Sequence, residues 1–296
     1  MARMSPETRR ATAADGTRLA YRVVGQGAPL VLLHGYPQNH RCWLPVLPAL
    51  AARFRCILPD LRGYGDSAAP EDDADHASYS KRVMARDVAA ILDAEGIARA
   101  HVAGHDRGAR VAYRLALDLP QRVGRLVVID VIPTSAFWEA WTADLSMKAY
   151  HWTFLAQPAP LPERMIGADP AAYVDWTLAS WTRCGTLGPF EPTALASYRA
   201  QMAEPARLAA MCADYRAGYH VDRAVDLADR AAGRTIAAPM LFLWGEGGFP
   251  ARSGDPLGIW RAWAPGVAGH ALPSGHFAME EAPEEVARAM LGFLGA

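Results

Sequence analysis

Lysine is nearly absent from this chain: Lys81 and Lys148 stand against 28 arginines. Arginine identity alone therefore marks no position as special. An excess of either charge is also missing, since 30 basic and 31 acidic residues leave a formal net charge of −1. No basic field exists to draw in nucleic acid or an anionic membrane. Cysteine is sparse. Cys42, Cys56, Cys184 and Cys212 are scattered without a C-x-x-C pair, which excludes a disulfide scaffold and a thiolate zinc site and points to a reduced, intracellular protein. The longest apolar runs, such as Leu126–Ile129, are far too short to span a bilayer. The stretch Met1–Arg10 has no apolar targeting segment, so a cytoplasmic location is expected. Repeats, low-complexity tracts and phosphate-binding glycine loops in their required context are missing as well. His101 and His105 have the spacing of a helical metal pair, but a strand and Gly104 separate them, so both are read as structural. No metal and no cofactor is expected.

What remains is 296 residues that are 51% hydrophobic, enough to bury a large core. Apolar runs read as strands at 17–24, 30–33, 55–58, 100–103, 126–129, 240–244 and 268–272. Helices are expected at 43–53, 79–95, 108–117, 257–263 and 283–293, with Gly96 ending the second and Pro283 opening the last. Alternation of this kind predicts an α/β fold with a mostly parallel sheet covered on both faces. The rhythm breaks between Pro133 and Arg234. That segment lacks strand runs and carries Trp138, Trp141, Trp152, Trp176 and Trp181, five of the nine tryptophans. It reads as a helical cap over the carboxyl ends of the strands, with 1–132 and 235–296 forming the two parts of the core.

Chemistry concentrates in a few short stretches. Gly104-His-Asp-Arg-Gly108 lies between a strand and a helix, the pattern of a nucleophile elbow with Asp106 at its tip. His34-Gly-Tyr-Pro37 follows a strand where an oxyanion-binding amide would lie. Asp60–Ser67 is a glycine-rich loop after the next strand, and Ser274-Gly-His-Phe277 places His276 where a general base belongs. The order nucleophile, acid, histidine requires an acid between residues 106 and 276. Glu71-Asp-Asp-Ala-Asp75 reads as a solvated loop.

With these motifs in order, the chain resembles the α/β-hydrolase superfamily over nearly its whole length. Gly104-His-Asp-Arg-Gly-Ala-Arg110 looks like the haloacetate and fluoroacetate dehalogenases within it. The resemblance implies an eight-stranded, mostly parallel sheet with a helical cap after strand 6. It makes Asp106 the nucleophile, His276 the base and Asp130 the acid, with Glu246 as a rival acid after the following strand. It also implies an oxyanion site from the amides of Tyr36 and Arg107, and a carboxylate site from Arg107 and Arg110. A halide site of His151, Trp152 and Tyr215, with Trp181 lining the substrate pocket, completes the set. Haloalkane dehalogenases and epoxide hydrolases usually carry tryptophan after the nucleophile, and this chain has Arg107.

The implied reaction is hydrolysis of a haloacetate through an aspartyl ester, with water and a small haloacid as the only other participants and a homodimer as the assembly. An epoxide hydrolase would use the same Asp and His but needs two cap tyrosines from among Tyr150, Tyr173, Tyr198, Tyr215 and Tyr219. A non-catalytic ligand receptor on the same fold is the reading without an enzyme.

Overall fold

The computed structural model describes residues 7–295, so most of the amino-terminal decapeptide lies outside the described residues. Among these residues one sheet of eight strands runs β1 (Arg9–Thr12), β2 (Arg18–Val24), β3 (Ala28–Leu33), β4 (Phe54–Pro59), β5 (Ala100–His105), β6 (Val123–Ile129), β7 (Met240–Gly245) and β8 (Ala268–Leu272). Their order in space is β1-β2-β4-β3-β5-β6-β7-β8, with β1 and β2 antiparallel and the rest parallel. Strand β1 escaped the sequence reading because Arg9 and Arg10 give it no apolar run. It is held as the outer partner of β2. Central strands are buried on both faces, so they read as unbroken runs such as Leu126–Ile129.

Helices α1 (Leu47–Ala51), α2 (Lys81–Ala94) and α3 (Arg107–Asp118) lie between the early strands. The expected helix over 43–53 is a correction. Pro45 and Pro48 cannot donate into a helical ladder, so the segment divides into a single 3₁₀ turn at His40–Trp43 and the short α1. The α2 boundaries follow from its ends, where the Ser80 hydroxyl accepts from Val83 N–H and Gly96 adopts φ 66°.

Between β6 and β7 come α4 (Thr134–Glu139), α5 (Ala143–Lys148), α6 (His151–Leu155), α7 (Leu161–Gly167), α8 (Pro170–Trp181), α9 (Pro192–Ala203), α10 (Pro205–Ala217) and α11 (Arg223–Ala231). The chain closes with α12 (Pro256–Arg261), α13 (Ala278–Glu281) and α14 (Pro283–Leu294). No described helix is long and apolar enough to cross a membrane. The acidic loop is exposed but internally tied: Asp73 accepts from the amides of Asp75, Ala77 and Ser78.

Helix α3 starts at the carboxyl end of β5. It is buried from Arg107 through Leu117 and carries three buried arginines, at 107, 110 and 114, along one face.

Candidate active site

Asp106 joins β5 to α3 at φ 48° and ψ −118°, a conformation that costs an L-residue on the order of 1–3 kcal/mol. Close packing around the turn enforces it. A Cβ on Gly108 would meet His34 O at 2.3 Å, and one on Gly35 would meet Asp106 Cβ at 2.4 Å. Both glycines are therefore needed where they stand.

The Asp106 carboxylate has two distinct oxygens. Oδ1 accepts from the Tyr36 amide at 2.8 Å, and Oδ2 faces His276 Nε2 at 3.7 Å. Burial is the largest single influence and pushes this carboxyl upward, but the His276 ring, His105, Arg107 and Arg110 together overcome it and hold Asp106 below the ordinary carboxylate range. Asp106 is therefore ionised at neutral pH.

His276 Nδ1 donates to Asp130 Oδ2 at 2.5 Å, while Asp130 Oδ1 accepts from Gly245 N–H at 2.9 Å. That assignment leaves His276 Nε2 as an acceptor, buried and without a partner. Asp130 itself adopts φ 55° at the end of β6 and is fully buried. Burial raises its pKa despite the opposing bond from His276. Glu246, the rival acid, is excluded from this position. Its side chain is 54% exposed and pairs with Arg183 at 2.9 Å. Behind His276 packs His105, whose Nε2 donates to the His276 carbonyl at 2.8 Å; burial pushes its pKa down to about 3.

Arg107 and Arg110 come together over the indole of Trp152, their guanidinium carbons 5.7 and 4.5 Å from its centroid. They are not equivalent. Arg107 Nη2 donates to both Asp214 Oδ1 and the Asp214 carbonyl at 2.6 Å, leaving Nε and Nη1 buried and unpartnered. Arg110 Nη1 donates to the Ile132 carbonyl and Thr134 Oγ1, each at 3.0 Å. One turn further along, Arg114 pairs with Asp226 and Asp229. Among the described residues, Arg110 is the buried arginine of this helix that no carboxylate neutralises by direct contact.

The inserted helices bring His151, Trp152, Tyr215 and Trp181 to the same place. His151 lies 4.3 Å from Trp181 and 5.5 Å from Tyr215, centroid to centroid. Trp181 reaches within 5.5 Å of the His276 ring, and its carbonyl accepts from His276 N–H at 2.9 Å. His151 Nδ1 and the Tyr215 hydroxyl are buried with no partner. Burial drives the His151 pKa well below the ordinary imidazole value, so the ring is neutral. Trp176 departs from the other tryptophans of this segment, being 66% exposed on α8.

Several residues of the site carried no signal in the sequence. Phe249 contacts the His276 and His151 rings at 4.9 and 5.7 Å, and Phe137 stacks on Trp152 at 4.2 Å. Asp214, for which the sequence suggested no role, anchors Arg107. Of the five tyrosines considered for epoxide chemistry, Tyr215 alone is on the site with a buried, unpartnered hydroxyl. Tyr173 bonds to Tyr36 and Tyr150, Tyr198 donates to Glu280, and Tyr219 is 44% exposed.

Comparison with known proteins places this geometry. The family described as alpha/beta hydrolase fold matches residues 28–283. A fluoroacetate dehalogenase of Burkholderia sp is 40% identical over 272 residues, covering 92% of this chain and 88% of that protein. A soluble epoxide hydrolase of Corynebacterium sp. (strain C12) is 32% identical over 281 residues, 94% of each chain. Among solved structures, a provisionally named alpha/beta hydrolase from Nostoc sp PCC 7120 superposes with a TM-score of 0.94 at 43% identity, over 98% of each chain.

Proposed function

This chain belongs to the alpha/beta-hydrolase-fold family, and from that premise we propose that it hydrolyses the carbon–halogen bond of a haloacetate, fluoroacetate foremost, giving glycolate and halide. The observation that carries the reading is Arg110: a buried cation beside Asp106 with no carboxylate partner, in a helix whose other two buried arginines each have one. An anionic substrate supplies the missing charge. Neutral epoxides and haloalkanes do not.

In this reading the substrate carboxylate lies on Arg110 and on the Nε–Nη1 edge of Arg107, and its halogenated carbon faces Asp106 Oδ2. Oδ2 attacks that carbon, the carbon–halogen bond breaks, and halide leaves with the electron pair. His276 Nε2 then takes a proton from water as the water oxygen attacks Cγ of the ester. Charge gathers on Oδ1, which the Tyr36 amide already holds and to which the Arg107 amide at the start of α3 adds a second donor. Collapse breaks the Cγ–Oδ2 bond, His276 gives its proton to the departing oxygen to complete glycolate, and loss of the remaining water proton to solvent returns Asp106 as the carboxylate. The leaving halide is received by His151, Trp152 and Tyr215, all donors without negative charge. Residues 133–234 act as the cap that closes this chamber and excludes water from the first step, with Trp181 as part of its wall.

The epoxide reading draws on the Corynebacterium relative and on Tyr215, but it needs a second tyrosine aimed at the same oxygen. A receptor without catalysis would have no use for an ordered Asp106–His276–Asp130 set. One experiment separates all three. His276→Asn blocks ester hydrolysis but spares ester formation, so intact-protein mass spectrometry after exposure to haloacetate shows one added carboxymethyl unit on the Asp106 peptide. Wild type, assayed beside it, releases halide from fluoroacetate or chloroacetate faster than it opens styrene oxide. Unmodified His276→Asn protein combined with halide release by the wild type would sink the covalent route, and binding without any release would favour the receptor.

A further inference from the structure

Asp214 sits on α10 one residue before Tyr215, fully buried, and serves three donors. Its Oδ1 accepts from Arg107 Nη2 and from Lys81 Nζ, and its Oδ2 accepts from the Tyr64 hydroxyl at 2.9 Å. The Asp214 carbonyl takes the second proton of the same Arg107 nitrogen. Arg107 is thus held by one edge, and the Tyr215 ring, 4.2 Å from its guanidinium carbon, fixes the plane. The opposite edge, Nε and Nη1, is left buried and unpartnered.

We propose that Asp214 is a positioning residue that holds Arg107 with its Nε–Nη1 edge toward the substrate carboxylate and keeps the guanidinium off Asp106. The inference rests on the haloacetate reading for the identity of that carboxylate. Lys81 and Asp222 complete a cluster of two cations and two anions, with Lys81 Nζ 3.8 Å from Asp222 Oδ2. The charge of Arg107 is therefore balanced inside the protein, and its contribution to substrate is direction, whereas Arg110 contributes charge. Without Asp214, Arg107 has an unbalanced charge and a nearby carboxylate, Asp106, on which to spend it. A guanidinium drawn onto Asp106 would block both the nucleophile and the carboxylate site.

The test is a double-mutant cycle read by kcat/KM on chloroacetate and by competitive inhibition with acetate, an anion of substrate shape that cannot react. Asp214→Asn weakens both by about tenfold or more in the wild-type background, but by less than about twofold when Arg107 is already Met, because the two residues act as one unit. Losses that multiply across the two backgrounds overturn the proposal. Lys81→Met leaves the Asp214–Arg107 pair intact and keeps acetate inhibition within about threefold; a loss as large as that of Asp214→Asn would mean charge balance and not positioning. A crystal structure of Asp214→Asn gives a readout independent of substrate. The Arg107 guanidinium leaves the Tyr215 face, and an unmoved guanidinium overturns the proposal whatever the enzyme hydrolyses. If the wild type neither releases halide nor binds acetate while Arg107 still moves, only the substrate reading has failed. Should Asp214→Asn not fold, Asp214→Glu keeps the charge and lengthens the arm, and the same displacement of Arg107 decides the matter.

Discussion

At the strand ends, Asp106, Asp130 and His276 have their polar atoms tied to backbone amides or to one another, apart from the two that face each other, Asp106 Oδ2 and His276 Nε2. In the inserted helices above them, His151 Nδ1 and the Tyr215 hydroxyl are buried with no partner. A buried polar group left unpaired costs roughly 1–3 kcal/mol, so the upper side of the site carries a need for a polar partner that most of the lower side has already satisfied internally. The lower side is built to hold charge in a fixed place. On the proposed haloacetate reading, the upper side receives the charge that arrives during reaction. Arg110 stands at the seam, bonded only to neutral oxygens.

Removing the seam should have the largest effect. Arg110→Leu deletes the unbalanced cation, and a charge-assisted bond contributes on the order of 1.5–3 kcal/mol, so kcat/KM on chloroacetate falls by about ten- to a hundredfold. Circular dichroism should be unchanged. Turnover equal to wild type would show that the substrate charge is balanced elsewhere and would dissolve the distinction between the two arginines.

A smaller effect should sharpen the contrast from above. Trp152→Phe keeps an aromatic ring against Phe137 and beneath Arg110 but loses the indole N–H. Fluoride is small and strongly hydrated, so it depends most on donors in a dry site. The rate on fluoroacetate should fall by about tenfold, with a clearly smaller loss on chloroacetate. Equal losses on the two substrates would assign Trp152 to packing alone.

Legibility in the sequence divides along the same line. Asp106 and His276 could be read because each stands beside glycine in a turn that follows a strand, whereas Asp130 was named by the family resemblance, which puts an acid after β6. Helices α2 and α14 were legible from their end signals. The upper side was not. His151, Trp152 and Tyr215 were named by family resemblance, and nothing in the sequence paired Asp214 with Arg107, Lys81 and Tyr64, which lie 107, 133 and 150 residues away. Phe249 and Phe137 likewise had no mark to distinguish them from ordinary core aromatics. Partnerships of that range depend on how whole helices pack, and local pattern does not encode them.

The smallest effect concerns stability, at a point where the two sides meet. Glu280 on α13 is buried, accepting from the Tyr198 hydroxyl of α9 at 3.1 Å and from the Gln38 amide of the loop after β3. Burial pushes its pKa up to about 8, against the lowering effect of those two donors. In the unfolded chain Glu280 gives up its proton near the ordinary glutamate value, whereas the folded protein retains it until about 8. Stability attributable to this residue therefore falls as pH rises through that interval. Glu280→Gln should remove the decline with little change in activity, as measured by denaturant melts of both proteins from acid to mildly alkaline pH. A difference between them that does not vary with pH would mean that Glu280 stays ionised throughout.

The inserted helices leave the sheet after β6 and return to it at β7, and these two strands are hydrogen-bonded neighbours: Ile129 pairs with Leu243, and Asp130 N–H reaches the Leu243 carbonyl at 2.8 Å. The chain departs at the carboxyl end of β6, beside Asp130, and re-enters at the amino end of β7, where Met240 pairs with Leu126, so the inserted segment also crosses the depth of the sheet. Closing a flexible segment between two fixed points costs little more when it is long than when it is short, since the entropy grows only with the logarithm of length. The length of the segment between these two points is therefore weakly constrained by closure, and the register of β6 with β7 does not depend on it.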